Sequence, residues 1–323
     1  MEPKFDIIKR SFLWIGIALV LAILAVLSFV GNLRLSIQFT GGMEMIFDGQ
    51  VEDESHLTQD LNEYLIEEGY DDPNVIMGES EGFPSLLIES RVDDPDKVDG
   101  LSAIVRGYLL DNGYISTEED IMEVVIIGPS IGDWMKRSAI IAIAVGLVLV
   151  SIYMLFAFSG IRHYLSPGIL ALITILTLFF DVLLPAGAYG VLMFFNPAIQ
   201  VDLIFVVAIL TIIGYSINDT VIIFDRIREN FKLDMNKIEE GKITYEGVFE
   251  KSVWQTMRRS LATSFSTLLV LVSMYIFGGG IIELFAFTLM IGVIAGTFSS
   301  IFLAAPLAYK FAIDNSQKYS TEG

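Results

Sequence analysis

Asp219 stands in the stretch IIGYSINDTVIIFDRIREN, Ile212 to Asn230, with Asn218 before it, Thr220 after it and apolar VIIF (221–224) beyond. A carboxylate at membrane depth costs about 3 kcal/mol on insertion scales, and it persists where it faces a bundle interior or an ion path. Asp219 lies about 27 Å of helix past Val201 at ~1.5 Å per residue, in the far half of a span that begins there. Its chemistry is reversible protonation or ion pairing. Asp225, beside Arg226 and Arg228, reads as an ion pair where the helix leaves the apolar layer. Asp181 in LTLFFDVLLP has apolar neighbours on both sides and reads equally as a second proton site or a packing partner. Asp202 opens its span and is expected to face water.

Arg259 and Thr263 in MRRSLATSFST are four residues apart and share one helical face. Arg259 either snorkels to the surface or turns inward to pair with Asp219. A pair that protonation breaks is what a proton relay requires. One charge moved through 100 mV carries ~2.3 kcal/mol, enough that repeated transfers can drive a conformational cycle. Gly292 and Gly296 form a G-x-x-x-G followed by Thr297, Ser299 and Ser300, a packing face for a neighbouring helix.

Other chemistries fall away on composition. The chain has no cysteine, so disulfides, thiolate metal sites and cysteine nucleophiles are excluded. Its two histidines, His56 and His163, lie in different segments, which argues against a histidine metal cluster. Between Gly31 and Lys136 there are 24 acidic and 5 basic residues, which accounts for the whole net charge of −19. Such a segment would repel phosphate, which argues against nucleic-acid binding through it.

The elements that must position these residues are membrane spans. The chain is 323 residues long, 54% hydrophobic, with a mean hydropathy of +0.62. Six stretches are long enough to cross a ~30 Å core: 12–30, 139–158, 167–195 (expected to be shorter), 201–224, 261–277 and 282–312. The first follows Lys4, Lys9 and Arg10 but is too long for a cleaved signal and lacks an A-x-A site, so it reads as an anchor. Lys and Arg placement puts both termini in the cytoplasm. Arg162, eight basic residues from Arg226 to Arg259, Lys310 and Lys318 then lie inside. Lys136 and Arg137 are the exception.

Three regions follow. Residues 1–35 hold the N-terminus and first span, 36–136 an external domain, and 137–323 the remaining spans with a cytoplasmic loop at about 226–257. In the external domain MEMIF (43–47), NVIMG (74–78), SLLIES (85–90) and 120–128 read as strands. Residues 53–69 read as a helix with an apolar stripe of Leu57, Leu61, Tyr64 and Leu65 and a stop at Gly69. Residues 94–113 read as a second helix stopped by Gly113, and Gly82–Phe83–Pro84 as a turn. The order β-α-β-β-α-β is the ferredoxin-like split βαβ. It carries no phosphate-cradling loop and no nucleophile with its base, so it reads as a binding or mechanical domain.

On these residues the sequence resembles the SecF family, subunits of the SecDF accessory complex of the protein-export translocase and members of the resistance-nodulation-division superfamily. QFTGG (38–42) is similar to the family's D-F-x-G-G, placing Phe39, Gly41 and Gly42 on the motif. GPSIG (128–132), RRSLATS (258–264) and 277–300 match further blocks. IGYSINDTVIIFDRIREN (213–230) matches the fourth-span signature, with Gly214, Asn218, Asp225 and Arg226 at motif positions. The resemblance implies half of a twelve-span bundle, completed by a SecD-like subunit. It implies Asp219, Arg259 and Thr263 in the proton pathway, with Asp181 a further candidate. It implies H⁺ or Na⁺ as coupling ion, no other cofactor, a SecY-type channel and an unfolded exported polypeptide as partners, and the cytoplasmic membrane as location. Two positions depart: the motif aspartate is Gln38, and the histidine that often precedes the third-span aspartate is Phe180. The competing readings are an exporter of small molecules or lipids from the same superfamily, and an intramembrane aspartyl protease using Asp181 and Asp219. The FFD and SIND contexts disfavour the protease.

Overall fold

The structure is a computed structural model that describes residues 6–49, 51, 53–70, 73–80, 83–89, 95–158, 166–196 and 198–311. The charges Lys4, Arg91, Arg162 and Lys318, the histidine His163 and the turn glycine Gly82 lie outside the described residues. Six helices are long and apolar enough to span a membrane: α1 (Ser11–Asn32), α5 (Pro129–Ala157), α6 (Pro167–Phe195), α7 (Leu203–Glu239), α8 (Tyr245–Phe277) and α9 (Gly280–Phe311). Between α1 and α5 come a short helix α2 (Ile37–Thr40), β1 (Gly42–Phe47), α3 (Glu54–Glu67), β2 (Asn74–Ser80), β3 (Phe83–Glu89), α4 (Pro95–Asp111) and β4 (Ile121–Ile127). The chain divides into two compact units, one holding Asn32–Ala142 with Gly190–Val206, the other the bulk of the spans.

In the first unit the strands run β2-β3-β1-β4 with every neighbour antiparallel, as the split βαβ order demands. Pairing Met43 with Ile88 and Ile126, and Met45 with Leu86 and Val124, turns these side chains to one face. There they meet Leu57, Leu61 and Leu65 of α3 and Val105 and Leu109 of α4, all fully buried. Each such burial contributes about 1.5–3 kcal/mol. Asp53 caps α3 by accepting from His56 N at 3.1 Å. Gly69 and Gly113 end α3 and α4 with φ of 88° and 74°, the left-handed region that glycine enters freely. The expected turn at 82–84 is shorter than read, because Phe83 and Pro84 already belong to β3. Proline is tolerated at that entry to a strand.

A strap ties this sheet to the chain between α6 and α7. Leu35 bridges Val201 in parallel, with Ser36 N donating to Val201 O at 2.9 Å and Val201 N to Arg34 O at 2.8 Å. Gln200 Nε2 donates to Glu89 Oε1 at 3.1 Å. The missing side chain of Gly78 leaves room for Ala198, whose Cβ would lie 2.8 Å from one built there. Gln38 Oε1 accepts from Leu203 N at 2.9 Å, and Asp202 Oδ1 from Phe205 N at 2.7 Å. These two side chains satisfy two of the free N–H groups that open α7. Gln38 therefore has a structural task where the family motif carries an aspartate. Asp202 is half-buried by its capping role rather than simply facing water.

In the second unit α6, α7 and α9 are about half buried, while α1 and α5 expose most of their length. Side chains at Gly292 and Gly296 would collide with Ile212 and crowd Ser216, so the G-x-x-x-G packs α9 onto α7. The third span keeps its full length despite Pro185 inside it, where the reading expected it to be shorter. The largest correction concerns 226–257, which is not a loop. Helix α7 continues to Glu239 and α8 starts at Tyr245, leaving only a short turn between them. Buried Ile227 and Phe231 on α7 and Val248, Phe249 and Val253 on α8 give both segments an apolar face. Asp234 holds the pair together through Lys237 at 2.7 Å and Lys251 at 2.5 Å. Buried Glu250 accepts from Ile7 N, Ile8 N and Trp254 Nε1 at 3.0, 2.8 and 2.7 Å, pinning the entry to α1.

Candidate ion pathway

Helix α7 shows two faces at the level of the polar cluster. Ile212, Ser216, Asp219, Thr220 and Ile223 are buried, while Gly214, Asn218 and Asp225 are exposed. The ~100° step between neighbours turns Asp219 inward and Asn218 outward.

Asp219 is 3% exposed. The groups acting on it are the Ser260 hydroxyl and, by charge, Arg259. Among the described residues its Oδ2 and Ser260 Oγ are both buried and neither makes a hydrogen bond of good geometry, so the two stand as near neighbours rather than a formed bond. Arg259 is exposed, and among the described residues no salt bridge joins it to Asp219. The inward pairing is thus not made within this chain, because the face of α8 that meets α7 is the one bearing Ser260 and Ser264. Thr263 lies on the exposed face with Arg259, as the four-residue spacing requires, and donates to the Arg259 carbonyl at 3.1 Å.

Asp225 pairs with Arg228 at 3.6 Å, and Arg226 pairs with Glu229 at 2.8 Å. Phe39 is buried, and Gly41 and Gly42 take φ of 80° and 142° where Gly41 meets Pro129. A side chain on Gly41 would be 3.1 Å from Pro129 Cα, so the two family blocks are packing partners at a chain crossing.

A seam of hydroxyls joins the buried helices. Ser216 donates to Asp181 Oδ2, Thr220 meets Ser300 at 2.9 Å, Ser264 meets Thr297 at 2.5 Å, and Tyr215 Oη donates to Ser264 at 3.3 Å. Ser216, Ser260 and Ser264 were not singled out from the sequence. Their signal was spacing: Ser216 is one turn before Asp219, and Ser260 and Ser264 are one turn apart. No hydrogen bond joins Asp181 to Asp219 among the described residues; each carboxylate has serine hydroxyls as its neighbours. Among the described residues no group of three His, Cys, Asp or Glu side chains is placed to hold a metal ion.

A family model described as "Protein export membrane protein SecD/SecF, C-terminal" matches residues 112–314. The chain is 31% identical over 302 residues to the protein translocase subunit SecF of Rhodothermus marinus, covering 93% of this chain and 89% of that one. It is 31% identical over 306 residues to the protein translocase subunit SecDF of Brucella abortus, covering 94% of this chain and 37% of that longer one. Among solved structures, SecDF from Thermus thermophilus, a translocon-associated membrane protein, superposes with a TM-score of 0.75 at 26% identity. The match covers 96% of this chain and 39% of that chain, so this chain spans about two fifths of it.

Proposed function

The chain belongs to the SecF family of protein translocase subunits, and we propose that it supplies an ion-driven step to protein export. It is a multi-pass membrane protein with an accessory role in that process, and its relatives support a SecD-like partner. In the proposed arrangement both termini are cytoplasmic and the acidic α+β domain is external, where it meets exported polypeptide leaving a SecY-type channel. The chain works as a transport subunit and not as an enzyme, with H⁺ or Na⁺ as its coupling ion.

One observation carries this reading: a buried carboxylate, Asp219, whose Oδ2 makes no hydrogen bond of good geometry among the described residues and which has the buried Ser260 hydroxyl as its neighbour. A group left unsatisfied there costs about 1–3 kcal/mol, and a passing proton relieves that cost. The exposed polar residues complete it. Arg259, Thr263, Gly214 and Asn218 are exposed on helices long and apolar enough to span a membrane, and in the proposed setting lipid is a poor neighbour for a guanidinium. The SecD-like partner covers them, so the ion path runs at the junction of the two subunits. Lipid contacts the apolar outer faces of α1 and α5.

Asp219→Asn keeps shape and removes the exchangeable proton. We expect a folded, membrane-inserted chain that pairs with its partner but no longer stimulates secretion. Normal secretion in a strain that depends on the native chain would refute the role of Asp219.

A further inference from the structure

Helices α8 and α9 leave an open groove of about 620 Å³ between them, lined by Leu261 and Phe265 of α8 and Ile294, Phe298 and Phe302 of α9. Leu261, Phe265 and Ile294 are each more than half exposed. Ser264 and Thr297 also reach the groove, but they bond to each other at 2.5 Å and Thr297 donates to Val293 O at 2.8 Å. Their polar capacity is spent within the protein, so the wall that remains is apolar. One side of it is stiffened by stacked rings. The Trp14 ring of α1 lies 4.4 Å from that of Phe302, which lies 5.3 Å from that of Phe298.

The groove face of α8 continues past Leu261 with different chemistry. Trp254, Arg258, Leu261, Phe265 and Leu268 follow one another at spacings of four, three, four and three residues, which keeps them on one side of the helix. Trp254 is exposed, and its Nε1 is fixed by donating to Glu250 Oε1 at 2.7 Å. Arg258 is exposed too, about one turn beyond the Leu261 end of the groove. Its neighbours at three and four residues are Trp254, Gln255, Leu261 and Ala262, none of them acidic. Among the described residues no carboxylate forms a salt bridge with it. Tryptophan and arginine at the end of an apolar stripe mark the level where a span meets lipid headgroups. The order along α8 is interfacial anchor, cation, apolar channel. A phospholipid presents its parts in that same order.

We propose that this groove binds one anionic phospholipid, with its phosphate on Arg258 and an acyl chain between α8 and α9. Charge complementarity selects the headgroup, because Arg258 supplies a positive charge that no neighbouring carboxylate offsets. The face of α8 assigned above to the SecD-like partner is a different one, since Leu261 lies two ~100° steps round the helix from Arg259. The site rests on the chain crossing a membrane and does not depend on ion movement at Asp219.

The test uses the full chain with its SecD-like partner in phosphatidylcholine nanodiscs that carry a trace of photoreactive lipid. The probe bears a diazirine in its acyl chain and either a phosphatidylglycerol or a phosphatidylcholine headgroup. Irradiation and peptide mapping then read the label on residues 261–268 and 294–302. The phosphatidylglycerol probe should label these segments about fivefold more than the phosphatidylcholine probe, the worth of one basic group near an anionic lipid. Arg258→Gln should remove that preference, and Arg258→Lys should keep most of it. Ala262→Trp, which fills the groove from α8, should cut labelling there by both probes and leave labelling of α5 unchanged. Equal labelling of the native groove by the two headgroups would overturn the site, as would a preference that survives Arg258→Gln. Absence of label from the groove with both probes, the result if a helix of the partner fills it, would overturn it equally.

Discussion

Two carboxylates of similar sequence context have different surroundings because of what their helices turn them toward. Asp219 faces Ser260 with one oxygen unsatisfied, whereas Asp181 is anchored by Ser216. Ser260→Ala removes the hydroxyl beside Asp219 but not the charge, so secretion should fall partway, by less than in Asp219→Asn, when the two are compared in one strain. Asp219 was legible in the sequence because a carboxylate between apolar runs is expensive, and the fourth-span block told where it sits. The partner was not legible. Spacing places Arg259 and Thr263 on one face of α8, but periodicity alone does not say which face turns toward α7. The answer lay in Ser260 and Ser264, small hydroxyl residues whose pattern is silent until the helices are packed.

At the level of elements, close packing and caps fix the positions of the site residues. Gly296→Leu should push α9 off Ser216 and cost about 1–3 kcal/mol, the usual price of overpacking, measured by denaturant unfolding in detergent. Gln38→Leu removes the acceptor that caps Leu203 and should cost about 1 kcal/mol, with faster amide exchange confined to the first turn of α7. Gln38→Glu keeps an acceptor and should leave that exchange unchanged. Glu250→Ala strands the Ile7 and Ile8 amides and should cost about 2–4 kcal/mol. The spans and the α+β elements could be read from periodicity and stop signals to within a few residues. The α7–α8 hairpin could not, because its charged surface masked a sparse apolar stripe of Ile227, Phe231, Val248 and Phe249.

Across the whole molecule the acidic α+β domain sets a pH dependence apart from the membrane site. Burial, aided by the Glu123 charge, raises the Glu44 carboxyl above its usual range. A folded value above the unfolded one favours the protonated fold, so this contribution is present at low pH and is lost as pH rises through the folded value. Glu44→Gln should therefore raise the domain's thermal midpoint at neutral pH and leave it nearly unchanged in acid. Asp120 works the other way, its carboxyl lowered by the Thr117 and Ser116 amides, so its contribution is lost as pH falls. Both effects belong to the fold of the domain, and neither should alter ion movement through the spans. The central claim concerns that movement. The most direct test is collapse of an imposed pH gradient, with an imposed Na⁺ gradient run in parallel, in liposomes containing the chain with its SecD-like partner. Native complexes should dissipate one of the two gradients faster than protein-free liposomes, and Asp219→Asn complexes should dissipate neither faster. Equal dissipation of both gradients by native and Asp219→Asn complexes would contradict the account.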